Sequence, residues 1–360
     1  MERAEQRYHI SSMKRHPMFL LLTKQWGIVH CTFPNLHQLY LGWNAGMKDI
    51  ICHCEGHHQH QLLSHYFGNL KVITLEGYEQ QLLPSYLYRL LALPNLQKLE
   101  IWSSYFKEMI FQSEEDGEEK PASLLLSQIT ELRLIFLSEL MHLWKEKEGF
   151  PNLRILHVEC CRKLKGNLVP SSVSFRNLVT LRVYGCDGII KLITHPTAKS
   201  LVQLKQMSIS FCKNIEEIIQ GGDDDDDEIS FSQLNRLELD HLPKLESFFS
   251  SGNYTFSFPS LEDLVVNNCQ KMKMFSQGLS NTPKLHKVLL LERRGFHEHW
   301  EGSLNNTIQQ LFRQKHAMIE EGENPEEDQS SPSTSNTQNL TEEVENSIKD
   351  QGNSSTSIFE

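Results

Sequence analysis

A nine-residue pattern recurs ten times along the chain, and that recurrence leaves few folds open. "FPNLHQLYL" begins at Phe33, "FGNLKVITL" at Phe67, "LPNLQKLEI" at Leu93 and "LSQITELRL" at Leu126. "FPNLRILHV" follows at Phe150, "FRNLVTLRV" at Phe175 and "LVQLKQMSI" at Leu201. "FSQLNRLEL" at Phe231, "FPSLEDLVV" at Phe258 and "TPKLHKVLL" at Thr282 complete the set. Successive starts lie 24 to 34 residues apart, a period near 25 with a few insertions. Apolar residues fall at offsets 3, 6 and 8 from each start. Offsets 6 and 8 alternate around one polar position, as in Leu156 and Val158, Leu181 and Val183, or Leu237 and Leu239. That alternation belongs to a short strand with one buried face. Offset 11 carries Asn44, Cys161, Cys186, Cys212 and Cys269; offset 14 is apolar again, with Leu140, Leu164, Ile189, Ile215, Leu245 and Met272. A single coil of this length cannot bury its own apolar face, whereas stacked coils bury a continuous one and pair their strands in parallel. Ten strands at a spacing of about 4.8 Å predict an inner sheet about 43 Å across.

L-x-x-L-x-L-x-x-N/C-x-L is the leucine-rich repeat pattern. The expected fold is therefore an α/β leucine-rich repeat solenoid: a curved horseshoe with a parallel inner β-sheet and an irregular or short-helical convex face. Further motifs go beyond a generic repeat. The "F-P-N-L" openings, the "C-x-K-L" after the strand, the "L-x-x-L-x-x-L-W" run from Leu137 to Trp144 and the ending "WEGSLNNTIQQLF" (Trp300 to Phe312) stand together. In these the chain resembles the repeat region of plant coiled-coil NB-ARC disease-resistance proteins, over roughly residues 30 to 315. Such receptors carry a nucleotide switch upstream of the repeats, and its phosphate loop needs G-x-x-x-x-G-K-[ST]. No Gly-Lys-Ser or Gly-Lys-Thr occurs in the sequence, so the resemblance extends to the sensing arm without the NB-ARC domain. The division read from the pattern is a degenerate N-terminal segment over 1–32, the repeat array over 33–295, a C-terminal capping helix over 296–319 and an acidic disordered tail over 320–360.

Several stretches suggest other chemistry, and each has a plainer explanation. "CHCEGHHQH" places Cys52, Cys54, His57, His58 and His60 within nine residues, but it falls in the longest interval between copies. Structural zinc sites use four ligands, commonly in two pairs held by turns, and Cys-x-Cys is tighter than the usual pair. It reads as a polar surface insertion, and no metal site is assigned. Cys161, Cys186, Cys212 and Cys269 share one repeat position and read as core thiols that pack as small apolar groups. "GGDDDDDE" (Gly221 to Glu228) sets acids side by side rather than at the spacing of a calcium loop, and "EEDGEEK" (Glu114 to Lys120) is similar. "HEHW" (His297 to Trp300) is not H-E-x-x-H, and G-x-S-x-G is absent. No nucleophile and base stand in a catalytic arrangement, so neither an enzyme nor a cofactor is expected.

Charge is uneven. The net charge is −11, and residues 320–360 carry eleven acids against one Lys, so the body is nearly neutral. No basic patch signals nucleic acid. No apolar run approaches a membrane span, and "MFLLL" (Met18 to Leu22) is too short for a signal core. A cytoplasmic location with reduced thiols is expected, which makes the sequons at Asn253, Asn305, Asn339 and Asn353 chance matches. Leu304, Ile308, Leu311, Phe312, Met318 and Ile319 recur at helical spacing, with Ser303 placed to cap the helix that closes the array.

Offsets 5, 7 and 9 point away from the core onto the concave sheet, and offset 10 lies at its rim. They supply the candidate partner-binding residues Tyr40, Trp43, Trp102, Arg133, His157, Arg182, Tyr184, Phe211, Asp240 and His241. Aromatic and Arg side chains are enriched at binding hot spots. The expected function is protein recognition in plant defence, with a pathogen effector, a guarded host protein or a receptor switch domain as partner. Two alternatives stand beside it: a substrate adaptor of a ubiquitin ligase, which needs an upstream helical module that residues 1–32 are too short to hold, and a non-functional truncated receptor fragment.

Overall fold

The computed structural model describes residues 7–9, 37–42, 67–78, 91–107, 127–143, 151–168, 175–221, 228–250, 254–292 and 295–320. The sequence-predicted Trp43, Asn44, the Cys52–His60 stretch, Glu114–Lys120 and most of the Asp run lie outside these residues, as does nearly all of the acidic tail. Met1–Phe312 forms one compact unit and Arg313–Glu360 a second, of which only the helical residues 313–320 are described.

In the first unit the strands are β1 (Arg7–His9), β2 (Gln38–Gly42), β3 (Val72–Glu76), β4 (Lys98–Trp102), β5 (Glu131–Ile135), β6 (Ile155–Glu159), β7 (Thr180–Tyr184), β8 (Lys191–Thr194) and β9 (Gln206–Ser210). They continue with β10 (Glu217–Gln220), β11 (Glu228–Ser230), β12 (Arg236–Asp240), β13 (Thr255–Ser257), β14 (Asp263–Asn267), β15 (Ser280–Asn281), β16 (Val288–Glu292) and β17 (Gly295–His299). A short helix α1 (His195–Ser200) follows β8, and α2 (Leu304–Glu320) ends the described chain.

Every repeat copy contributes one strand to a twelve-stranded sheet in the order β1-β2-β3-β4-β5-β6-β7-β9-β12-β14-β16-β17. From β2 to β14 the register is constant: each offset-5 residue pairs with the next, Gln38 with Val72, Val72 with Lys98, and on to Arg236 with Asp263. The alternation in the sequence dictates this. Leu156 and Val158, Leu181 and Val183, and Leu237 and Leu239 are fully buried, so a slip of one residue would turn each pair out of the core. The core is one continuous stack of such residues.

Two local devices repeat with the strands. Where a copy carries Asn at offset 2, its amide ties the coil to the one before it: Asn152 Nδ2 donates to the Ser127 carbonyl at 2.8 Å, and Asn177 Nδ2 to the Pro151 carbonyl at 3.1 Å. From β3 to β14 the residue leaving each strand of the large sheet, at offset 10, is left-handed. Gly77, Ser103, Phe136, Cys160, Gly185, Phe211, His241 and Asn268 all have φ between 44° and 70°. That twist turns the chain out of the sheet and aims its N–H at the next coil, as from Cys160 to the Tyr184 carbonyl at 2.8 Å and from Phe211 to the Asp240 carbonyl at 3.0 Å. The next residue plugs the corner. Cys161, Cys186, Cys212 and Cys269 are buried free thiols whose Sγ atoms donate to the offset-9 carbonyl of their own coil at 3.3–3.5 Å.

The outer flank holds more strand than an irregular face would. β8 pairs with β10, and β11, β13 and β15 form a second short parallel ladder. Phenylalanines fill the space behind them: Phe231 stacks on Phe258 at 5.3 Å between ring centroids and Phe248 on Phe275 at 4.7 Å.

The end of the array corrects one boundary. Residues 296–299, expected within the closing helix, belong to β17, which runs antiparallel to β16. The reason is the open edge of β16, whose backbone groups need partners. The helix starts at Leu304, where the Ser303 hydroxyl accepts from the Asn306 N–H at 3.3 Å. Leu304, Ile308 and Leu311 are buried in the continuous core.

Candidate functional site

The solvent face of the large sheet is read most easily by rows. The offset-7 row runs Arg133, His157, Arg182, Ser208, Glu238, one residue per strand from β5 to β12. Three consecutive basic side chains therefore lie across β5, β6 and β7. Two of them are engaged. Arg133 Nε lies 2.6 Å from Glu131 and 3.5 Å from Glu100, and Lys98 bridges the same two carboxylates at 3.3 and 2.8 Å. His157 Nε2 lies 3.3 Å from Glu159. Arg182 is exposed and makes no ion pair among the described residues. Its strand neighbours Thr180 and Tyr184 carry no charge, and its cross-strand partners are His157 and Ser208.

Around Arg182 the sheet forms a depression of about 490 Å³, lined by residues of β6, β7, β9 and β12 and by the rim residue Phe211. Of the sequence-predicted residues, His157, Arg182, Tyr184, Phe211 and Asp240 line it together. Glu159, Gln206, Ser208, Ser210, Arg236 and Glu238 also line it and were missed. They obey the same offset rule, but as small or ordinary charged residues they drew no notice beside aromatics and Arg.

One wall is an aromatic ridge. Tyr184 packs on Phe211 at 5.0 Å, and Phe211 stacks on His241 at 4.2 Å with rings 10° apart. The His241 ring is fixed at both nitrogens. Nδ1 lies 2.8 Å from Asp240 Oδ1, and Nε2 lies 2.9 Å from Asn268 Nδ2. With the Asn268 amide donating, Nε2 accepts and Nδ1–H donates to Asp240, which fixes the plane of the ring. Asn267 Nδ2 holds the same Asp240 oxygen at 2.7 Å. Burial, then the charges of Cys160, Glu159 and Asp240, raise the Tyr184 hydroxyl above its ordinary value, so it remains a neutral donor.

The other predicted residues do not join the depression. Arg133 sits one strand away on β5, tied into its carboxylate cluster. Trp102, 37% exposed, ends β4, and Tyr40 lies on β2. Phe136, also at a strand exit, and Tyr105 are exposed aromatics that the candidate set omitted. Among the described residues no group of three or more His, Cys, Asp or Glu is placed to hold a metal ion. No described helix is long and apolar enough to cross a membrane.

One coil per repeat, a strand at the same offsets in each and an N/C corner after it define a leucine-rich repeat solenoid. The chain belongs to the family described as plant disease resistance protein RPS2-like, leucine-rich repeats, whose profile matches residues 35–174 and 165–281. It is 27% identical over 192 residues to the probable disease resistance proteins RF45 and RDL5 of Arabidopsis thaliana, an overlap of 52% of this chain and 17% of each relative. The chain thus spans under a fifth of the length of those relatives. A distant likeness to the leucine-rich repeat domain of the type III effector XopL (16% identity, TM-score 0.42, 70% of this chain and 78% of that one) carries no weight beside the strand register.

Proposed function

We propose that the chain is a cytoplasmic protein-recognition module in plant defence, binding its partner through the open face of the large sheet. The partner is a pathogen effector, a guarded host protein or the nucleotide-binding switch domain of a receptor. The observation that carries this reading is the row of Arg, His and aromatic side chains at offsets 7, 9 and 10, which folding does not require. The core is built from offsets 6 and 8. Disease resistance relatives are consistent with the biological setting.

Binding of this kind is non-covalent. The sheet presents a preorganised surface, so little ordering entropy is lost on association, and fixed aromatic planes are the side chains that gain most from exclusion of water. The test is simultaneous alanine substitution of Trp102, Arg133, Arg182 and Tyr184, followed by titration against a partner identified by crosslinking to the intact chain. A loss of at least about tenfold in affinity is expected from removal of hot-spot residues. Unchanged affinity places the binding surface elsewhere.

A further inference from the structure

We infer that the depression over β6, β7, β9 and β12 is a carboxylate-selecting subsite. In it Arg182 takes an Asp or Glu side chain of an extended partner segment, and the Tyr184–Phe211–His241 ridge takes a neighbouring apolar side chain. The inference rests on the face proposed above and gives it a ligand chemistry.

The argument begins with charge. The other groups that ionise along the depression each lie against a side chain of their own. Arg236 Nη2 lies 3.5 Å from Glu238, Glu159 holds His157, and Asp240 accepts from both Asn267 and His241. Of the two Arg side chains lining the depression, Arg182 alone has no carboxylate partner among the described residues. A guanidinium offers a planar fork of N–H donors that matches a carboxylate with two parallel bonds. Its surroundings favour such a guest. Its strand and register neighbours Thr180, Tyr184, His157 and Ser208 are hydroxyls and an imidazole, and the carboxylates of the depression, Glu159, Glu238 and Asp240, each already lie against another side chain. A cationic guest would instead leave Arg182 unpaired and repelled.

Shape agrees with charge. The depression has the volume of a small binding site, yet it lies open on a sheet face, which suits side chains of a polypeptide laid across the strands. The ridge beside it is rigid, because Phe211 is held by ring contacts on both sides and His241 by a hydrogen bond at each ring nitrogen. An aromatic platform next to a free Arg reads an acidic residue followed by an apolar one.

The experiment pans a random twelve-residue phage-displayed peptide library against the intact chain and against its Arg182→Gln and Arg236→Gln variants. The recovered sequences are then measured as C-terminally amidated synthetic peptides by fluorescence anisotropy. Arg182 is exposed and unpaired, so the variant keeps its fold, as circular dichroism will show. The expected result is enrichment of Asp or Glu beside Phe, Leu, Ile or Trp. Arg182→Gln is expected to weaken these peptides roughly tenfold or more, as for loss of a charge-assisted bond, and added salt to weaken them further. Arg236→Gln, whose charge is already paired, should weaken them much less. Phosphate-bearing peptides outcompeting acidic ones, or binding lost on amidation, would replace the side-chain carboxylate with another anion and overturn the assignment. Enriched peptides without acids that are still lost on Tyr184→Ala and Phe211→Ala would overturn the Arg182 subsite and leave the face standing. Peptides indifferent to all these variants, or no enrichment at all, would overturn both.

Discussion

Asn305 shows how much one side chain can do at the end of a repeating structure. Its Oδ1 accepts from the N–H groups of Phe275 and Ser276 at 2.9 and 3.1 Å, and its Nδ2 donates to the Ser276 carbonyl at 2.9 Å. It thereby supplies the bonds that a further coil would have made. Asn305→Ala is expected to cost about 2–3 kcal/mol locally, since buried backbone groups lose their partners. Amide exchange at Phe275 and Ser276 should quicken, and Asn305→Asp, which keeps only the accepting half, should fall between. In the sequence Asn305 reads only as a chance sequon, because nothing local signals a partner thirty residues earlier. Two glycines separate backbone conformation from space. A Cβ at Gly188 would stand 2.3 Å from the Leu164 carbonyl oxygen, whereas Gly166, at φ 73°, has nothing within 4 Å. Gly188→Ala should therefore cost about 2–3 kcal/mol by crowding between coils. Gly166→Ala should cost about 1–2 kcal/mol by strain alone, and thermal denaturation of the two variants will separate them.

At the scale of the element, the strand exit is the joint on which the stacking turns. Six of its eight described members are not glycine and hold a left-handed backbone at some cost. Ser103, exposed at φ 44°, shows the effect most cleanly. Ser103→Gly is expected to stabilise by about 0.5–1 kcal/mol, the strain relieved less the added freedom of the unfolded chain, and Ser103→Val to destabilise. Chemical denaturation with both variants checks the sign. The strands themselves were legible because burial imposes a period of two, and one offset rule located them from β2 to β14. The left-handed exits were not legible, since only Gly77 and Gly185 hint at them. The outer ladders were hidden for another reason. Ile218 and Ile219, or Phe248 and Phe249, are buried as adjacent pairs, so no alternation marks them. β17 was hidden by its polar sequence, which becomes a strand only because β16 offers an unpaired edge. The depression was half legible: the rows were predictable, but which residues on them are left unpaired depends on neighbours a coil away.

Across the whole molecule the buried thiols link fold and pH. Burial, then Glu159, pushes Cys160 up to about 11. A bond from Cys161 and burial raise Cys186, and burial followed by the charge of Cys186 raises Cys212. A raised thiol pKa means that folding favours the protonated form. Stability from these groups is therefore fully present below their unfolded value near 9 and is lost as pH climbs through the folded values. Thermal midpoints should be insensitive to these thiols from pH 7 to 8 and should fall above pH 9, with the fall reduced in a Cys186→Ser, Cys212→Ser double variant. Alkylation of the folded chain at pH 8 should be slow for the same reason. The Asn amides that reach back one coil and the strand-exit N–H groups that reach forward one coil have a further consequence. Each such coil donates its exit N–H to the coil ahead and, where it carries the Asn, an amide to the coil behind. A gene that gained or lost one entire coil by unequal recombination would encode a chain whose backbone bonds between coils re-form with only the surface rows reshuffled, whereas loss of a single codon within a strand would turn the remainder of that one strand inside out.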